Sequence, residues 1–432
     1  MERGAAMSDV VHMMQPLEQP PDCEVRVPGS KSITNRAVLI AALADGPSVL
    51  EGALFSDDTE YMAEAWRRLG IRVDADAAAC CLAVDGRGGT IPAPAAALFV
   101  GNAGTAMRFL LPALCLGHGR YHLDGSARMR ERPIQDLVEA LRPLGAQVRC
   151  SAGNGCPPVE VTADGLRGGC TQVAAAKSSQ FLSAVLLVAP CTRDGVEVEV
   201  TGDLVAPPYV DMTIGVMRAF GVAVGRDGYG RFTVAPQRYT ARRYGIEPDA
   251  SSAHYFLAAA ALCGGRVRVA GLGYASLQGD VRFIDLLEQM GATVTRGDAF
   301  LEVRGGGELD GIEADMNAIS DTAPTLAALA PFARRPVSIR NIAHVRLQES
   351  DRLHAVASEL QRLGVRVREL DDGLRIEPSA IRAAIVDTYD DHRIAMSFAL
   401  IGLRVPGIGI RDPACVRKTF PDFFTRLEGL RR

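Results

Sequence analysis

The chain has 432 residues, of which 48% are hydrophobic and 23% charged, and its formal net charge is −4 at pH 7. This length predicts two or more domains, and the apolar content excludes an intrinsically disordered chain. The small acidic excess argues against a nucleic-acid-binding protein, because such proteins normally carry a basic face.

The ten cysteines are scattered and form no C-x-x-C pair, so they indicate reduced thiols in a cytoplasmic protein rather than a zinc site. No apolar run reaches the roughly 18 residues that span a bilayer. Residues 1–20 are typical of a loose, Met-rich tail without the apolar stretch of a secretion signal. His118 and His122 are four residues apart, but no acidic partner accompanies them, and we expect no metal there.

A pattern repeats along the chain, in which a small or polar start precedes an Ala/Leu-rich helical run. The six copies begin about 70 residues apart, at Lys31, Gly104, Ser178, Ser251, Asp321 and Asp391. These runs are apolar nearly all round, which predicts buried helices.

A second, more amphipathic helix follows each buried one. Five of these second helices end in a glycine that leads into a Val-containing strand, namely Gly70, Gly145, Gly221, Gly291 and Gly364. Glycine supplies the left-handed residue that ends a helix. Alternating segments such as "EVEVTGD" and "RVRVAGL" predict strands. The chain is therefore predicted to contain six copies of one α/β unit.

The start of the first buried helix, "GSKSITNR" at residues 29–36, gathers donors and cations where a helix begins. A helix N-terminus favours anions, so cations in the first turns at Lys31, Arg36, Arg108 and Arg393 oppose the helix dipole. A bound anion removes this conflict. The segment therefore predicts a site for a phosphate or a carboxylate.

From about Val27 to the C-terminus the chain resembles the 5-enolpyruvylshikimate-3-phosphate synthase family. The strings that carry the resemblance are "PGSKSITNR", "GNAGTAMR", "RMRERPI", "SSQF", "DASSAHYFLAAAA", "ESDRL", "DDHRIAMSFAL" and "KTFPDF". The resemblance implies an α/β fold of two domains, each with three βαβαββ repeats and buried parallel helices, an inside-out α/β barrel. It implies one domain at 30–245, a second at 1–29 plus 246–432, and an active site in the cleft between them.

The resemblance also implies the reaction, in which the enolpyruvyl group of phosphoenolpyruvate moves to the 5-hydroxyl of shikimate 3-phosphate and phosphate is released. The transfer is expected to proceed by addition and elimination through a tetrahedral intermediate, with no metal and no organic cofactor. The implied partners are these two substrates alone, bound by a cytoplasmic monomer that contacts neither nucleic acid nor membrane. Glyphosate is expected to compete with phosphoenolpyruvate, since Gly104 leaves room for it.

The family's functional residues match positions throughout this chain. The catalytic set is implied to be Lys31, Asp321 and Glu349. The shikimate 3-phosphate site is implied to consist of Lys31, Ser32, Arg36, Ser178, Ser179, Gln180, Tyr209, Asp321, His344 and Gln348. The phosphoenolpyruvate site is implied to consist of Lys31, Gly104, Arg128, Gln180, Arg352, Arg393 and Lys418.

Individual roles follow from the same match. Asp321 is expected to cap the fifth buried helix and to contact the reacting hydroxyl, while Glu349 is expected to face the methylene carbon. For Arg352 a structural ion pair with the preceding Asp351 is the alternative. His392 is given a supporting role.

The chain departs from the family at four positions. Ala206, His344 and Gln348 stand where serine, asparagine and lysine are frequent, and those family residues touch the phosphate end of shikimate 3-phosphate. These differences leave room for another phosphorylated alcohol, although a protonated His344 would compensate. Phe109 stands where several members have proline.

Three alternatives remain. A sister transferase acting on UDP-N-acetylglucosamine typically carries a cysteine in the loop at 124–130, where this chain has none. A paralogue would transfer the enolpyruvyl group to a different hydroxyl acceptor. A non-catalytic binding protein would need no acids at 321 and 349. Phosphate release with each acceptor separates these alternatives.

Overall fold

The computed structural model describes residues 10–431. Within it the chain folds into two compact units. The central unit is Gly29–Glu247, and the terminal unit combines Met1–Pro28 with Pro248–Arg432.

The elements are numbered along the whole chain. The helices are α1 Lys31–Leu43, α2 Asp57–Arg68, α3 Gly104–Leu114, α4 Gln135–Leu141, α5 Ser179–Val188, α6 Pro208–Ala219, α7 Ala250–Cys263, α8 Phe283–Gln289, α9 Ala323–Leu329, α10 Arg352–Arg362, α11 His392–Gly402 and α12 Phe423–Glu428. The strands are β1 Val11–Met13, β2 Asp22–Val25, β3 Asp45–Glu51, β4 Arg72–Asp76, β5 Cys81–Arg87, β6 Ala95–Phe99, β7 His118–Asp124, β8 Gln147–Cys150, β9 Val159–Asp164, β10 Gly169–Ala174, β11 Val196–Thr201, β12 Gly225–Asp227, β13 Arg231–Val234, β14 Arg243–Gly245, β15 Gly265–Ala270, β16 Thr293–Arg296, β17 Phe300–Gly305, β18 Glu313–Asp315, β19 Val337–Arg340, β20 Val367–Glu369, β21 Leu374–Ile376, β22 Ile385–Val386 and β23 Gly409–Arg411. Short 3₁₀ segments at Asn317–Thr322, Ala343–Leu347 and Pro413–Lys418 hold the predicted site residues Asp321, His344 and Lys418, and a fourth, Met129–Glu131, follows Arg128 directly.

The central unit contains three four-stranded sheets, in the orders β14-β3-β5-β4, β6-β7-β9-β8 and β10-β11-β13-β12. In each sheet the first pair is parallel and the other two pairs are antiparallel. Alternation explains the strands, since Val196 and Val198 of β11 face the core while Glu199 is exposed. Helices α1, α3 and α5 are buried along almost their whole length, because they are apolar on every face.

The terminal unit repeats this plan with sheets β16-β17-β15-β2, β18-β19-β21-β20 and the three-stranded β1-β23-β22. Its buried helices are α7, α9 and α11. Two units with three sheets and three buried helices each confirm the prediction of a two-part α/β fold built from six repeats.

The five predicted helix-ending glycines adopt the left-handed conformation, with φ between +84° and +102°. A side chain at these positions would be strained, which explains why glycine marks the helix end. No helix between residues 10 and 431 combines the length and the apolar character that crossing a membrane requires.

The prediction of a loose tail over residues 1–20 is wrong where the structure describes it. Val11–Met13 form strand β1, which pairs antiparallel with β23. The next residue, Met14, is buried and donates its backbone N–H to the Ile408 carbonyl. This segment supplies the sheet β1-β23-β22 with an edge strand. Such a long-range pairing cannot be predicted from a short stretch of sequence. Residues 1–9 lie outside the described part.

Candidate active site

The terminal unit places one arginine among three carboxylates. Arg352, the first residue of α10, is 2% exposed. Its Nε donates to Asp391 over 2.8 Å, its Nη1 to Asp321 over 3.1 Å, and its Nη2 to Glu349 over 2.9 Å. The Nη1 group also donates to the Gln348 side chain. The planar fork of arginine suits such a set of acceptors because its N–H directions are fixed.

These contacts decide between two interpretations of Arg352. Asp351 pairs with Arg346 instead, over 3.0 Å, so the predicted alternative of an Asp351–Arg352 ion pair is wrong. Burial disfavours the charged guanidinium of Arg352, but Asp391 and the other carboxylates outweigh it and raise its pKa. Arg352 is therefore a permanent cation that orients acidic side chains.

Asp321 receives a second cation. Its other carboxylate oxygen accepts from Nη2 of Arg393, which lies in the first turn of α11. Asp321 does not cap the fifth buried helix as expected, because α9 begins at Ala323 with Thr322 as its N-cap. Pro324 near the helix start explains this boundary, since proline favours the first turn. The carboxylate of Asp321 is thus held by two arginines rather than by helix N–H groups.

Glu349 lies between two cations. One of its oxygens accepts from Arg352, and the other lies 3.6 Å from the ammonium of Lys418. Glu349 and Lys418 are each 9% exposed. Beside this group Asp391 caps α11, accepts from the Arg393 backbone N–H, and bonds Ser350 Oγ over 2.9 Å. The network therefore alternates carboxylates and cations.

His344 is buried in the terminal unit. Its imidazole Nε2 lies 2.9 Å from Ser320 Oγ. Burial, helped by the nearby Arg352 charge and opposed by Asp321, lowers the pKa of His344 to about 4. The imidazole is therefore neutral at pH 7 in these surroundings, and its protonation beside a bound phosphate stays a prediction.

This pKa gives a pH dependence of stability. Between about pH 6.5 and pH 4 an unfolded chain protonates His344 while the folded chain does not, so folding loses free energy as the pH falls. Because His344→Asn lacks the titrating imidazole, we expect the variant to lose about 2–3 kcal/mol less free energy of unfolding than the parent by pH 4. Urea unfolding of parent and variant from pH 7.5 to 4 measures it, and other histidines cancel in the difference. Parallel curves would contradict the assignment.

The central unit gathers its predicted residues at the N-terminal ends of helices. Arg36 of α1 is 1% exposed and donates Nε to Thr213 Oγ1 over 2.8 Å. Its Nη1 donates to the Ser32 carbonyl over 2.9 Å and its Nη2 to the Tyr209 carbonyl over 3.1 Å. Burial lowers the pKa of Arg36 to about 10, which reflects the cost of holding the charge away from water.

Lys31 is the first residue of α1, and its ammonium lies 3.2 Å from the Asp58 carboxylate of α2. Both side chains are mostly buried. Asp58 therefore acts as a protein counter-ion for Lys31. An arriving anion would share or replace Asp58, which sequence analysis did not single out.

Helices α3 and α5 are joined by their first turns. Gln180 accepts from Arg108 Nη1 over 2.8 Å and donates to Thr105 Oγ1 over 3.3 Å. Ser178 is the N-cap of α5, since its hydroxyl accepts from the Gln180 backbone N–H over 3.2 Å, and Ser179 follows as a buried residue. These contacts place donors and a cation at two helix N-termini, where anions are favoured.

Gly104 begins α3 directly beside a buried arginine. A Cβ atom at Gly104 would lie 2.6 Å from Nη2 and 2.9 Å from Cζ of Arg132. The guanidinium of Arg132 is held by the carbonyl and the side-chain oxygen of Asn102, each at 3.0 Å. Glycine at this position therefore leaves room for Arg132, a neighbour that the sequence did not reveal.

We expect Gly104→Ala to lower the free energy of unfolding by about 1–3 kcal/mol, because the added methyl group must displace the Arg132 guanidinium. Gly245→Ala is the matched control, since nothing in the same unit lies within 4 Å of a Cβ built there. Guanidinium unfolding of both variants measures the difference. Equal stability would show that Arg132 moves without cost.

Arg128 and Tyr209 are the other predicted residues of the central unit. Arg128 is partly exposed and pairs with Glu131 over 2.9 Å. Tyr209 lies in the first turn of α6 and offers its carbonyl to Arg36. Ala206 precedes it in a left-handed conformation, with φ of +48°.

Sequence reasoning missed several neighbours of these groups. Asp391 was treated only as a helix start, although it is the third carboxylate on Arg352. Asp280 is buried, and burial together with the Asp321 carboxylate raises its pKa to about 7. His118 does have an acidic partner, Asp164 at 2.9 Å on an exposed sheet surface. Among residues 10–431 no group of His, Cys, Asp or Glu is arranged to hold a metal ion.

Comparisons with known proteins identify the family of this chain. The family model described as EPSP synthase (3-phosphoshikimate 1-carboxyvinyltransferase) matches residues 18–427. A protein named 3-phosphoshikimate 1-carboxyvinyltransferase from Trichormus variabilis is 50% identical over 411 residues, which cover 95% of this chain and 96% of that protein. A protein of the same name from Shewanella denitrificans is 47% identical over 413 residues, which cover 95% of this chain and 96% of that protein.

Solved structures give the same result. EPSP synthase from Acinetobacter baumannii superposes with a TM-score of 0.80 at 27% identity, covering 97% of this chain and 98% of that one. The enolpyruvyl transferase NikO from Streptomyces tendae shares the fold, with a TM-score of 0.77 at 22% identity over 97% of both chains. With a family match over nearly its whole length and relatives at half identity, this chain belongs to the EPSP synthase (3-phosphoshikimate 1-carboxyvinyltransferase) family.

Proposed function

We propose that this protein transfers the enolpyruvyl group of phosphoenolpyruvate to the 5-hydroxyl of shikimate 3-phosphate and releases phosphate, a step of the shikimate pathway to aromatic amino acids. The observation that carries the proposal is the Arg352 network of Asp321, Glu349 and Asp391, in a chain that belongs to this family. A binding protein would need the cations alone, whereas this network orients acids.

The chemistry assigns a task to two of these acids. Asp321 takes the proton of the 5-hydroxyl as its oxygen attacks C2 of phosphoenolpyruvate, and Glu349 gives a proton to C3, which becomes a methyl group. In the second step Glu349 takes a proton back from C3 while the C2–O bond to phosphate breaks. Lys31 stabilises the anionic groups between the two substrates.

Binding of phosphoenolpyruvate weakens the ion pairs of Asp321 and makes it a stronger base. Asp321 pairs with Arg352 and Arg393, and both cations stabilise its carboxylate form. When the anionic phosphoenolpyruvate takes over donors of these arginines, Asp321 loses part of their attraction and becomes a stronger base. The same cations thus bind one substrate and prepare the base for the other.

Arg36, Ser178 and Ser179 serve the second substrate in this proposal. Arg36 is offered to the shikimate carboxylate, and the two serines at the start of α5 are offered to its phosphate. Gln348 already accepts from Arg352, so a lysine there would be repelled by that guanidinium unless a phosphate lay between them. This supports a phosphate site built from fewer cations than in other members.

Glu349→Gln tests the second acid. We expect turnover to fall by about 10²–10⁴, because the amide cannot supply or accept the C3 proton, while the affinity for shikimate 3-phosphate is kept. Steady-state kinetics and calorimetry measure the two effects. Glu308→Gln, whose carboxylate pairs with Arg334 at the exposed surface, is the control. Turnover within twofold of the parent would remove Glu349 from the mechanism.

The acceptor decides between this function and its rival. A paralogue with another hydroxyl acceptor is favoured by Ala206, His344 and Gln348, since the family residues that they replace touch the substrate phosphate. Phosphate release from phosphoenolpyruvate should be measured with shikimate 3-phosphate, shikimate and UDP-N-acetylglucosamine in turn. Rapid release with shikimate 3-phosphate alone is expected, and release only with another acceptor would favour the rival.

We further propose that the two compact units are the domains expected at 30–245 and at 1–29 plus 246–432, and that residues of both act on the same substrates. The expectations of a monomer, a cytoplasmic location, and glyphosate competing with phosphoenolpyruvate belong to this proposal. The ten free cysteines support a reducing compartment. Sedimentation with and without substrates tests the monomer.

A further inference from the structure

The charge of Arg36 is compensated in an unusual way. Between residues 10 and 431 no carboxylate forms an ion pair with it, and its three hydrogen bonds go to a hydroxyl and two carbonyl oxygens. A fully buried cation with only neutral acceptors is costly, and the lowered pKa of Arg36 expresses that cost. A contact other than these hydrogen bonds must therefore offset the guanidinium charge.

An aromatic ring also contacts Arg36. Phe109 of α3 is fully buried, and Cζ of Arg36 lies over its face, 5.0 Å from the ring centroid. The negative face of an aromatic ring attracts a cation, and the attraction grows when water is excluded. Phe109 is also one of the positions at which this chain differs from the proline of several family members.

Hydrogen bonds hold the edge of the guanidinium, while the ring contacts its face. Thr213 of α6 accepts from Nε of Arg36 and lies 2.9 Å from the Ser183 hydroxyl of α5. The Tyr209 and Ser32 carbonyls each bind one Nη group. Helices α1, α3, α5 and α6 therefore meet around one side chain, and only α3 contributes through a ring.

We propose that Phe109 is a positioning residue for substrate binding. Its ring holds the Arg36 guanidinium and offsets part of its charge, so that Arg36 is ready to pair with the carboxylate of shikimate 3-phosphate. The inference rests on the proposed function. It predicts that Phe109 controls the affinity for this substrate and leaves both the affinity for phosphoenolpyruvate and the chemical step unchanged.

The test changes the ring electronics while its shape is kept. Phe109 is replaced by 4-fluoro-, 3,5-difluoro- and 3,4,5-trifluorophenylalanine through amber suppression, which weakens the negative face stepwise. The dissociation constant of shikimate 3-phosphate, measured by calorimetry, should rise at each step and by about three- to thirtyfold over the series. The same series at Phe232, a buried ring of the same unit, should leave it unchanged.

Kinetics separates positioning from general damage. In the Phe109 series the KM for shikimate 3-phosphate should rise, while kcat and the KM for phosphoenolpyruvate stay within twofold. Phe109→Leu, which removes the ring and retains an apolar side chain, should show the largest rise. An affinity that does not follow the number of fluorine atoms would overturn the inference.

The two proposals can fail separately. If the parent binds shikimate 3-phosphate and releases phosphate with it, a flat fluorine series overturns only the role of Phe109. If the parent does not bind shikimate 3-phosphate, the proposed function fails and this inference fails with it. A series that lowers kcat and both KM values together would show a structural role only.

Discussion

Arg352→Lys is expected to lower the free energy of unfolding by about 3–5 kcal/mol and to reduce turnover by at least about a thousandfold. Lysine keeps the charge, but one ammonium cannot donate to Asp321, Glu349 and Asp391 in the directions that the guanidinium serves. Buried carboxylates then lose their partners. Denaturant unfolding and kcat/KM measure the two effects.

Arg346→Lys is the matched control for this variant. Arg346 also bonds two carboxylates, Asp351 and Glu369, but it is about a quarter exposed and lies outside the network of buried acids. We expect its replacement to change stability by no more than about 1 kcal/mol. If both variants were equally stable and active, Arg352 would not organise the site.

Asp321→Asn is expected to lower kcat by about 10²–10⁴ while the protein stays folded and binds shikimate 3-phosphate within severalfold of the parent. The amide keeps the shape of the carboxylate but cannot take the hydroxyl proton. Arg352 still has Glu349 and Asp391 as counter-ions, which protects the fold. Steady-state kinetics and calorimetry measure the outcome.

Asp310→Asn controls for the loss of a carboxylate elsewhere in the same unit. Asp310 pairs with Arg335 at the exposed surface, and its replacement should leave kcat unchanged. A kcat of Asp321→Asn close to that of Asp310→Asn would show that another group takes the proton. Asp280, whose pKa is raised to about 7 by burial and by Asp321, would be the next candidate.

Local patterns explain why much of the fold was predictable. The apolar runs that were predicted to begin at Lys31 and Gly104 form helices α1 and α3, which begin at those residues. The glycines that end the second helices need a left-handed backbone, a property of single residues. Such signals lie within a few residues of one another. A strand as short as β1 carries no such signal, because its partner β23 lies at the other end of the chain.

The sequence predicted a set of candidate site residues but not the contacts among them. Arg352 and Asp391 are 39 positions apart, and only the folded chain reveals that they bond. Sequence adjacency left Asp351 open as an alternative partner, and the position of Asp321 at a helix start suggested a cap. Burial is also beyond a local pattern, since only the folded chain shows that His344 is shielded from water, which lowers its pKa.

Two further contacts could not be predicted from the sequence, namely the pairing of Lys31 with Asp58 and the contact of Gly104 with Arg132. Both join elements that are separate in sequence and adjacent in the fold. The resemblance named the residues that are expected to touch substrates, whereas the structure adds the residues that hold them. Phe109 illustrates the difference, because as a sequence departure it has no meaning until its ring is found under Arg36.

The most direct test of the central claim is to run the reaction in D₂O with phosphoenolpyruvate and shikimate 3-phosphate and to follow it by proton and phosphorus NMR. Addition to C2 with protonation of C3 makes a rotating methyl group, so the account predicts a product with deuterium in its vinyl methylene, an intact 3-phosphate and one equivalent of inorganic phosphate. A product that forms without deuterium would contradict addition and elimination, and the absence of any enolpyruvyl ether would contradict the proposed function itself.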